Sequence, residues 1–143
     1  MNNKTIISNE LFFEEVIVLL KQDNEVSFMV KGSSMKPFLN DETEVFLLRS
    51  NEYLKNDICL FKYKDHYLLH RLLKIKKNSF YFRGDNSKRI ERVSEDFIYG
   101  KVLYYKKRSK TIKQNRLKEA FILFFYRVFR LIKSLFRKAI RRT

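Results

Sequence analysis

Residues 57–83 read DICLFKYKDHYLLHRLLKIKKNSFYFR and contain three runs of apolar and aromatic residues that are typical of short β-strands. The runs are Asp57–Tyr63, Tyr67–Ile75 and Ser79–Arg83. Only three residues separate each run from the next, which leaves room for tight turns and little else. Because consecutive strands joined by tight turns lie side by side and antiparallel, this stretch predicts a β-meander.

The residues on either side extend this pattern. Further strands are predicted at Val26–Lys31, Glu44–Arg49 and Ile98–Tyr105. Asn9–Lys21 is predicted to be a helix, because its apolar residues recur at helical spacing behind a capping residue. A second helix is predicted over Leu117–Arg142. We therefore expect a mainly β (α+β) fold, a small antiparallel sheet or partly closed barrel with a short N-terminal helix and a C-terminal basic amphipathic helix.

The length of 143 residues suits one domain and is too short for two ordinary ones. We predict a helix packed on the domain within residues 1–25, a near-neutral catalytic domain at 26–104 and a basic tail at 105–143. The formal charge of +15 is concentrated in the tail, which has 14 Lys and Arg and one acid. Any anionic partner is therefore expected to meet the tail.

Several classes of protein are disfavoured by the composition. Cys59 is the only cysteine, so it cannot form an intramolecular disulfide and is expected to be a buried, inert thiol. The first apolar run, Val16–Leu20, is short and follows two glutamates, unlike a secretory signal. The apolar stretch Ala120–Phe136 is interrupted by three basic residues, so we expect no transmembrane segment. We also expect no cofactor and no metal.

Three polar residues stand where chemistry is possible. Ser34 follows Gly32 and precedes Pro37 at a break in a strand, so its hydroxyl would be exposed near backbone N–H groups. His70 lies within a β-rich run, and Asp85 lies in a Gly-Asp-Asn turn. Taken singly, each has an ordinary structural explanation: a turn serine, a core histidine and an Asx-turn.

Taken together and in order, five segments resemble the motifs of the signal peptidase I family. They are Gly32–Pro37 for its Ser-Met-x-Pro box, Asn56–Phe61 for its Gly-Asp-(Ile/Val)-Val-x-Phe strand, His70–Ile75 for the His-Arg-(Val/Ile) box of its Ser/His branch, Arg83–Asn86 for its Lys-Gly-Asp-Asn box and Ile98–Val102 for its closing strand. The resemblance implies the signal-peptidase-like mixed β fold, shared with self-cleaving repressors. It also implies peptide-bond hydrolysis by a serine nucleophile.

The resemblance assigns roles to particular residues. Ser34 would be the nucleophile, and His70 would be the general base where most bacterial members have lysine. Asp85 is preferred as the acid that orients His70, with Glu91 as the alternative. The oxyanion and substrate contacts are expected from Ser33, Ser34, Met35 and Pro37. The implied substrate is a peptide or preprotein, cleaved at a signal or leader segment, which would bind extended along a strand edge with small side chains before the scissile bond.

Two other interpretations remain open. A self-cleaving repressor shares the fold and the Ser-Met box, but it uses a lysine base and carries a DNA-binding module. The second interpretation is a non-catalytic domain whose basic tail binds a membrane or nucleic acid. The segment Leu117–Arg142 predicts a Phe-rich basic helix that lies on an anionic membrane surface, at the cytoplasmic face, rather than on nucleic acid. Docking of its apolar side onto the domain or a partner is the remaining possibility.

Overall fold

The computed structural model of the protein describes residues 9–142. Helix α1 is Asn9–Lys21, helix α2 is Arg116–Arg141, and a short 3-10 turn covers Glu95–Phe97. The strands are β1 Val26–Met29, β2 Glu44–Leu48, β3 Ile58–Tyr63, β4 His66–Lys76, β5 Ser79–Arg83, β6 Glu91–Ser94, β7 Ile98–Lys107 and β8 Lys110–Lys113. The predicted helix is confirmed within the described residues and ends at Lys21 as expected.

The strands form one antiparallel sheet in the order β1-β2-β7-β3-β4-β5-β6, with β8 paired to β7. Strands β3 to β6 are the predicted meander, continued by one strand. Their first turn has two residues, Lys64 and Asp65, with φ of 44° and 64°, between the paired Tyr63 and His66. Two successive positive φ values are typical of the turns that match the twist of a β-hairpin. The mainly β fold with a helix at each end is confirmed.

Helix α1 lies against the sheet through Val16, Ile17 and Leu20, which are buried. Leu20 approaches β7 at Gly100, where a Cβ atom would lie 3.2 Å from the Leu20 Cδ2 atom and 3.1 Å from the backbone oxygen of Leu48. Glycine at this position therefore permits close contact between helix and sheet. Cys59 is fully buried on β3, and burial raises the pKa of its thiol, as expected of an inert structural cysteine.

Three strands differ from the sequence prediction. The short strand β6 was not predicted, and β7 and β8 continue the sheet to Lys113, so residues 105–113 are mostly strand rather than tail. The reason is burial: Tyr105 lies in the core, where burial raises the pKa of its phenol to about 12. The sequence did not predict the extension of β7 and β8 because most of the side chains there are charged, and exposed lysines give no apolar signal.

Helix α2 begins with a reciprocal cap. The Asn115 side chain accepts a hydrogen bond from the Lys118 amide at 3.0 Å, and the Asn115 amide donates to Glu119 at 3.0 Å. Glu119 and Leu123 are buried against the sheet, while most of the helix beyond them is exposed. Within residues 9–142, neither helix is sufficiently long and apolar to cross a bilayer.

Candidate active site

Ser34 lies in the loop between β1 and β2, with its side chain exposed. The loop is anchored from beneath by Met35, Phe38 and Leu39, which belong to the buried core. It is tightened by the Leu39 amide, which donates to the Met35 carbonyl at 2.9 Å. An apolar anchor on one side of an exposed serine holds the hydroxyl in place without covering it.

His70 lies on β4 directly beside this loop. Its Nε2 atom is 3.1 Å from the Ser34 Oγ atom, and its Nδ1 atom is 3.1 Å from a Glu91 carboxylate oxygen. The imidazole is buried and its β4 residue pairs with Cys59 of β3, so the ring is held by the sheet. Because an ionised carboxylate only accepts hydrogen bonds, this geometry favours the proton on Nδ1 and leaves Nε2 to accept from the serine.

Glu91 reaches His70 because of strand β6. In the β5–β6 pair Glu91 stands opposite Phe82, and along β6 Glu91 and Val93 point inward while their neighbours are exposed. The second Glu91 carboxylate oxygen is 3.3 Å from the Nε atom of Arg89. Both oxygens of this buried carboxylate therefore have partners, which favours a single orientation towards His70.

The preference for Asp85 as the acid beside His70 does not agree with this geometry. Asp85 is buried, but both of its carboxylate oxygens accept from Arg71, at 2.8 and 2.9 Å. A bidentate guanidinium pair uses both oxygens and fixes the carboxylate plane, so Asp85 is directed to Arg71 and not to the imidazole. The alternative, Glu91, occupies the expected position.

Arg71 joins the active-site turn to helix α2. In addition to Asp85, its guanidinium donates to Glu119 at 3.0 Å and to the backbone carbonyl of Asn56 at 2.9 Å. Burial alone would lower the pKa of Arg71, but the hydrogen bonds and charges of Asp85 and Glu119 outweigh it and raise the pKa. A fully buried cation with two carboxylate partners makes this cluster a structural support next to Ser34 and His70.

The turn after β5 holds the serine loop from the other side. The Asn86 amide donates to the Ser34 carbonyl at 2.8 Å, and the Asn86 side chain donates to the Ser33 carbonyl at 3.2 Å. At Gly84 a Cβ atom would lie 2.6 Å from the Ser34 carbonyl oxygen and 3.1 Å from the Nε2 atom of His70. The sequence motif indicated a turn here, but not that Gly84 lies too close to Ser34 and His70 for any side chain.

Replacing Gly84 with Ala is therefore expected to displace Ser34 and to reduce peptide cleavage strongly, by about 100-fold for a misplacement near 1 Å. The melting temperature should change little in comparison, because Ser34, the residue that has to move, is exposed. Gly32→Ala is a useful comparison: a Cβ atom at Gly32 has open space around it, although its φ of 93° also disfavours alanine. Full activity of Gly84→Ala would show that the close approach of Gly84 to Ser34 and His70 is not needed for cleavage.

A groove of about 780 Å³ opens next to Ser34 and His70. Its lining is largely apolar and comes from α1, β1 and β4, with Phe12, Phe13, Phe28, Tyr67 and Leu69 among the contributors. Met35 closes one part of it, whereas Ser33 and Pro37 lie outside its lining. Among residues 9–142, strand β1 is the end strand of the sheet and pairs only with β2, so one backbone edge beside the groove is unpaired there.

The fold and the Ser34, His70 and Glu91 arrangement together define a serine-peptidase type of domain. Residues 3–103 match the model of the Peptidase S24-like family, and the chain belongs to this family. The family includes self-cleaving repressors as well as signal-peptidase-like members. The match thus supports the resemblance at the level of this superfamily rather than signal peptidase I in particular. No curated protein was found to match the chain.

Proposed function

We propose that the protein is a serine endopeptidase in which Ser34 is the nucleophile, His70 the general base and Glu91 the acid that orients the imidazole. The observation that supports this most strongly is the continuous hydrogen-bonded chain from Ser34 through His70 to Glu91, with both links at 3.1 Å. Each atom pair lies within the reach required for proton transfer. The nucleophile is exposed and the other two side chains are buried, which suits attack on a bound peptide.

The chemistry follows from the positions of the three groups. As the Ser34 oxygen attacks the scissile carbonyl carbon, its proton passes to Nε2 of His70, and Glu91 stabilises the imidazolium that forms. The same proton then goes to the leaving amine, which gives an acyl-enzyme. A water molecule, deprotonated by His70, then attacks the ester, and His70 passes the proton to the Ser34 oxygen as the acid product leaves. Gly32 provides no hydroxyl for the oxyanion, so backbone N–H groups at Ser33 and Ser34 are proposed to bind it.

The groove supports a peptide substrate in an extended conformation. A peptide added to the unpaired edge of β1 would gain main-chain hydrogen bonds, with alternate side chains directed into the groove. Aromatic rings at Phe13, Phe28 and Tyr67 provide an apolar surface there. We propose that the substrate is the apolar segment of a signal or leader peptide, supplied by another chain. Self-cleavage, as in repressor-type relatives, is the second candidate.

The proposed substrate preference can be tested with internally quenched peptides that differ only at the position before the scissile bond. Peptides with an apolar residue there are expected to have a kcat/KM at least about tenfold higher than those with Asp, because a charge would be desolvated in the groove. The intact mass of the protein should stay constant during the assay. Self-cleavage at a rate independent of protein concentration, without cleavage of any added peptide, would instead establish the repressor-type activity.

A further inference from the structure

Helix α2 packs on the domain through its polar side. Residues at helical spacing on one face meet the domain: Glu119 and Leu123 are buried, and Tyr126 and Arg127 are half-buried. Further along the same face, Arg130 donates to the Asn86 side chain at 2.6 Å. Burial and the nearby charge of Arg83 lower the pKa of the Arg127 guanidinium, which agrees with its position against the domain. The basic face is thus directed towards the catalytic unit.

The opposite face of α2 is apolar and exposed along its whole length. Its large side chains are Leu117, Phe121, Phe124, Phe125, Val128, Phe129, Leu131, Ile132, Leu135 and Phe136. Leu117 and Phe136 remain 83% and 68% exposed, so even the two ends of this face are uncovered by the rest of residues 9–142. An amphipathic helix on a globular domain normally buries its apolar stripe. Here the arrangement is reversed, and the exposed face is far larger than scattered surface hydrophobics.

Charge distinguishes among possible partners for this face. The helix contains eight Lys and Arg and one acid, Glu119, whose carboxylate is already paired with Arg71. Beyond Arg130 the basic residues are exposed, and their long side chains can reach past the border of the apolar face. Nucleic acid would meet the charges but leave the phenylalanines in water. An anionic lipid surface satisfies both sets of side chains together.

We propose that α2 binds the protein to an anionic bilayer. Its apolar face lies in the lipid interface, and its polar face packs against the catalytic unit on the side away from the lipid. The helix then separates the catalytic unit from the lipid by its own width, about 10 Å with side chains. Because Arg130 contacts Asn86, which in turn holds the Ser33 and Ser34 carbonyls, the nucleophile loop lies near the lipid side of the domain. The preferred substrates are then peptide segments at a membrane surface. This last step rests on the proposed function, whereas lipid binding does not.

Flotation of the full chain with vesicles tests the lipid contact. The protein should float with vesicles that contain phosphatidylglycerol and much less with pure phosphatidylcholine. Lys133→Gln and Arg137→Gln should each weaken the binding about fivefold, and salt should weaken it further. Phe129→Gln combined with Phe136→Gln should abolish flotation, whereas Ile90→Gln, at a residue 49% exposed outside the helix, should not. Ser34→Ala should float like the wild type, so that binding is measured apart from catalysis.

The chain contains no tryptophan, so single introduced tryptophans can report its orientation. Brominated lipids should quench the fluorescence of Phe121→Trp strongly and that of Tyr126→Trp weakly, because these residues are on opposite faces of α2. Equal quenching of the two variants would overturn the orientation. A full chain that stays unbound with both kinds of vesicle would overturn the proposal. So would a concentration-dependent dimer that is lost in the Phe129/Phe136 variant and forms without any lipid binding.

Discussion

Ser34→Ala is expected to reduce peptide cleavage by about 10⁴-fold or more, because alanine has no oxygen to form the acyl-enzyme. The change removes one exposed atom, so the free energy of unfolding should change by no more than about 1 kcal/mol. Cleavage is measured with the internally quenched peptide that the wild type cleaves fastest, and unfolding with urea. The hydrogen bond from His70 to Glu91 does not depend on this oxygen and should persist.

Ser33→Ala is the matched control: Ser33 is also exposed, its side chain lies outside the groove lining, and the substitution keeps the backbone N–H that is proposed to bind the oxyanion. Its activity should stay close to that of the wild type. Turnover by Ser34→Ala at the wild-type rate would rule out a serine mechanism at this site. Parallel loss in both variants would point to disruption of the loop rather than loss of the nucleophile.

The second large effect concerns the two buried acids next to the site. Glu91→Gln should lower kcat by about 10³- to 10⁴-fold with little change in KM, because an amide no longer fixes the imidazole tautomer or stabilises the imidazolium. Asp85→Asn should instead lower the free energy of unfolding by about 3 to 5 kcal/mol, because Arg71 loses its bidentate partner in a buried site. The two substitutions are equally conservative in size, so each is the control for the other.

Kinetics at a temperature where both variants are folded, together with urea unfolding, separate the two outcomes. Glu91→Gln is expected to be stable and inactive. Asp85→Asn is expected to be unstable but to retain catalysis in its folded fraction. A larger loss of kcat per folded molecule in Asp85→Asn than in Glu91→Gln would return the orienting role to Asp85. The contact between His70 and Glu91 would then have no orienting role in catalysis.

The sequence was sufficient to predict most of the sheet, because alternation and short turns are local signals. Ser79–Arg83 is a strand as predicted, and the other predicted strands shift by at most a few residues at their ends. It was not sufficient for β6, a strand of four residues with alternating burial. Glu91 occupies one of its inward positions, where an acid weakens the apolar signal that would have revealed the strand. The preference for Asp85 over Glu91 and the failure to predict β6 therefore have the same cause.

The orientation of α2 shows the same limit. Its two faces can be predicted from the spacing of Phe and Arg along the chain, and the cap at Asn115 is consistent with where the helix begins. Hydrophobicity alone leaves two positions open for the Phe face, a membrane surface or the domain itself. The buried Arg71, however, has an N–H group that its pair with Asp85 does not use, and Glu119 on the polar face accepts a hydrogen bond from it. A long-range charge pairing therefore determined which face meets the sheet.

The amino-acid sequence by itself determined the kinds and order of the elements, the serine and histidine of the site, and the two-faced character of the last helix. These properties depend on neighbouring residues and on the periods of helix and strand. The tertiary structure alone decided that Glu91 meets His70, that Asp85 belongs to Arg71, and that α2 directs its apolar face outward. Those outcomes depend on strand register and on pairing of buried charges between distant parts of the chain, and no local pattern encodes either.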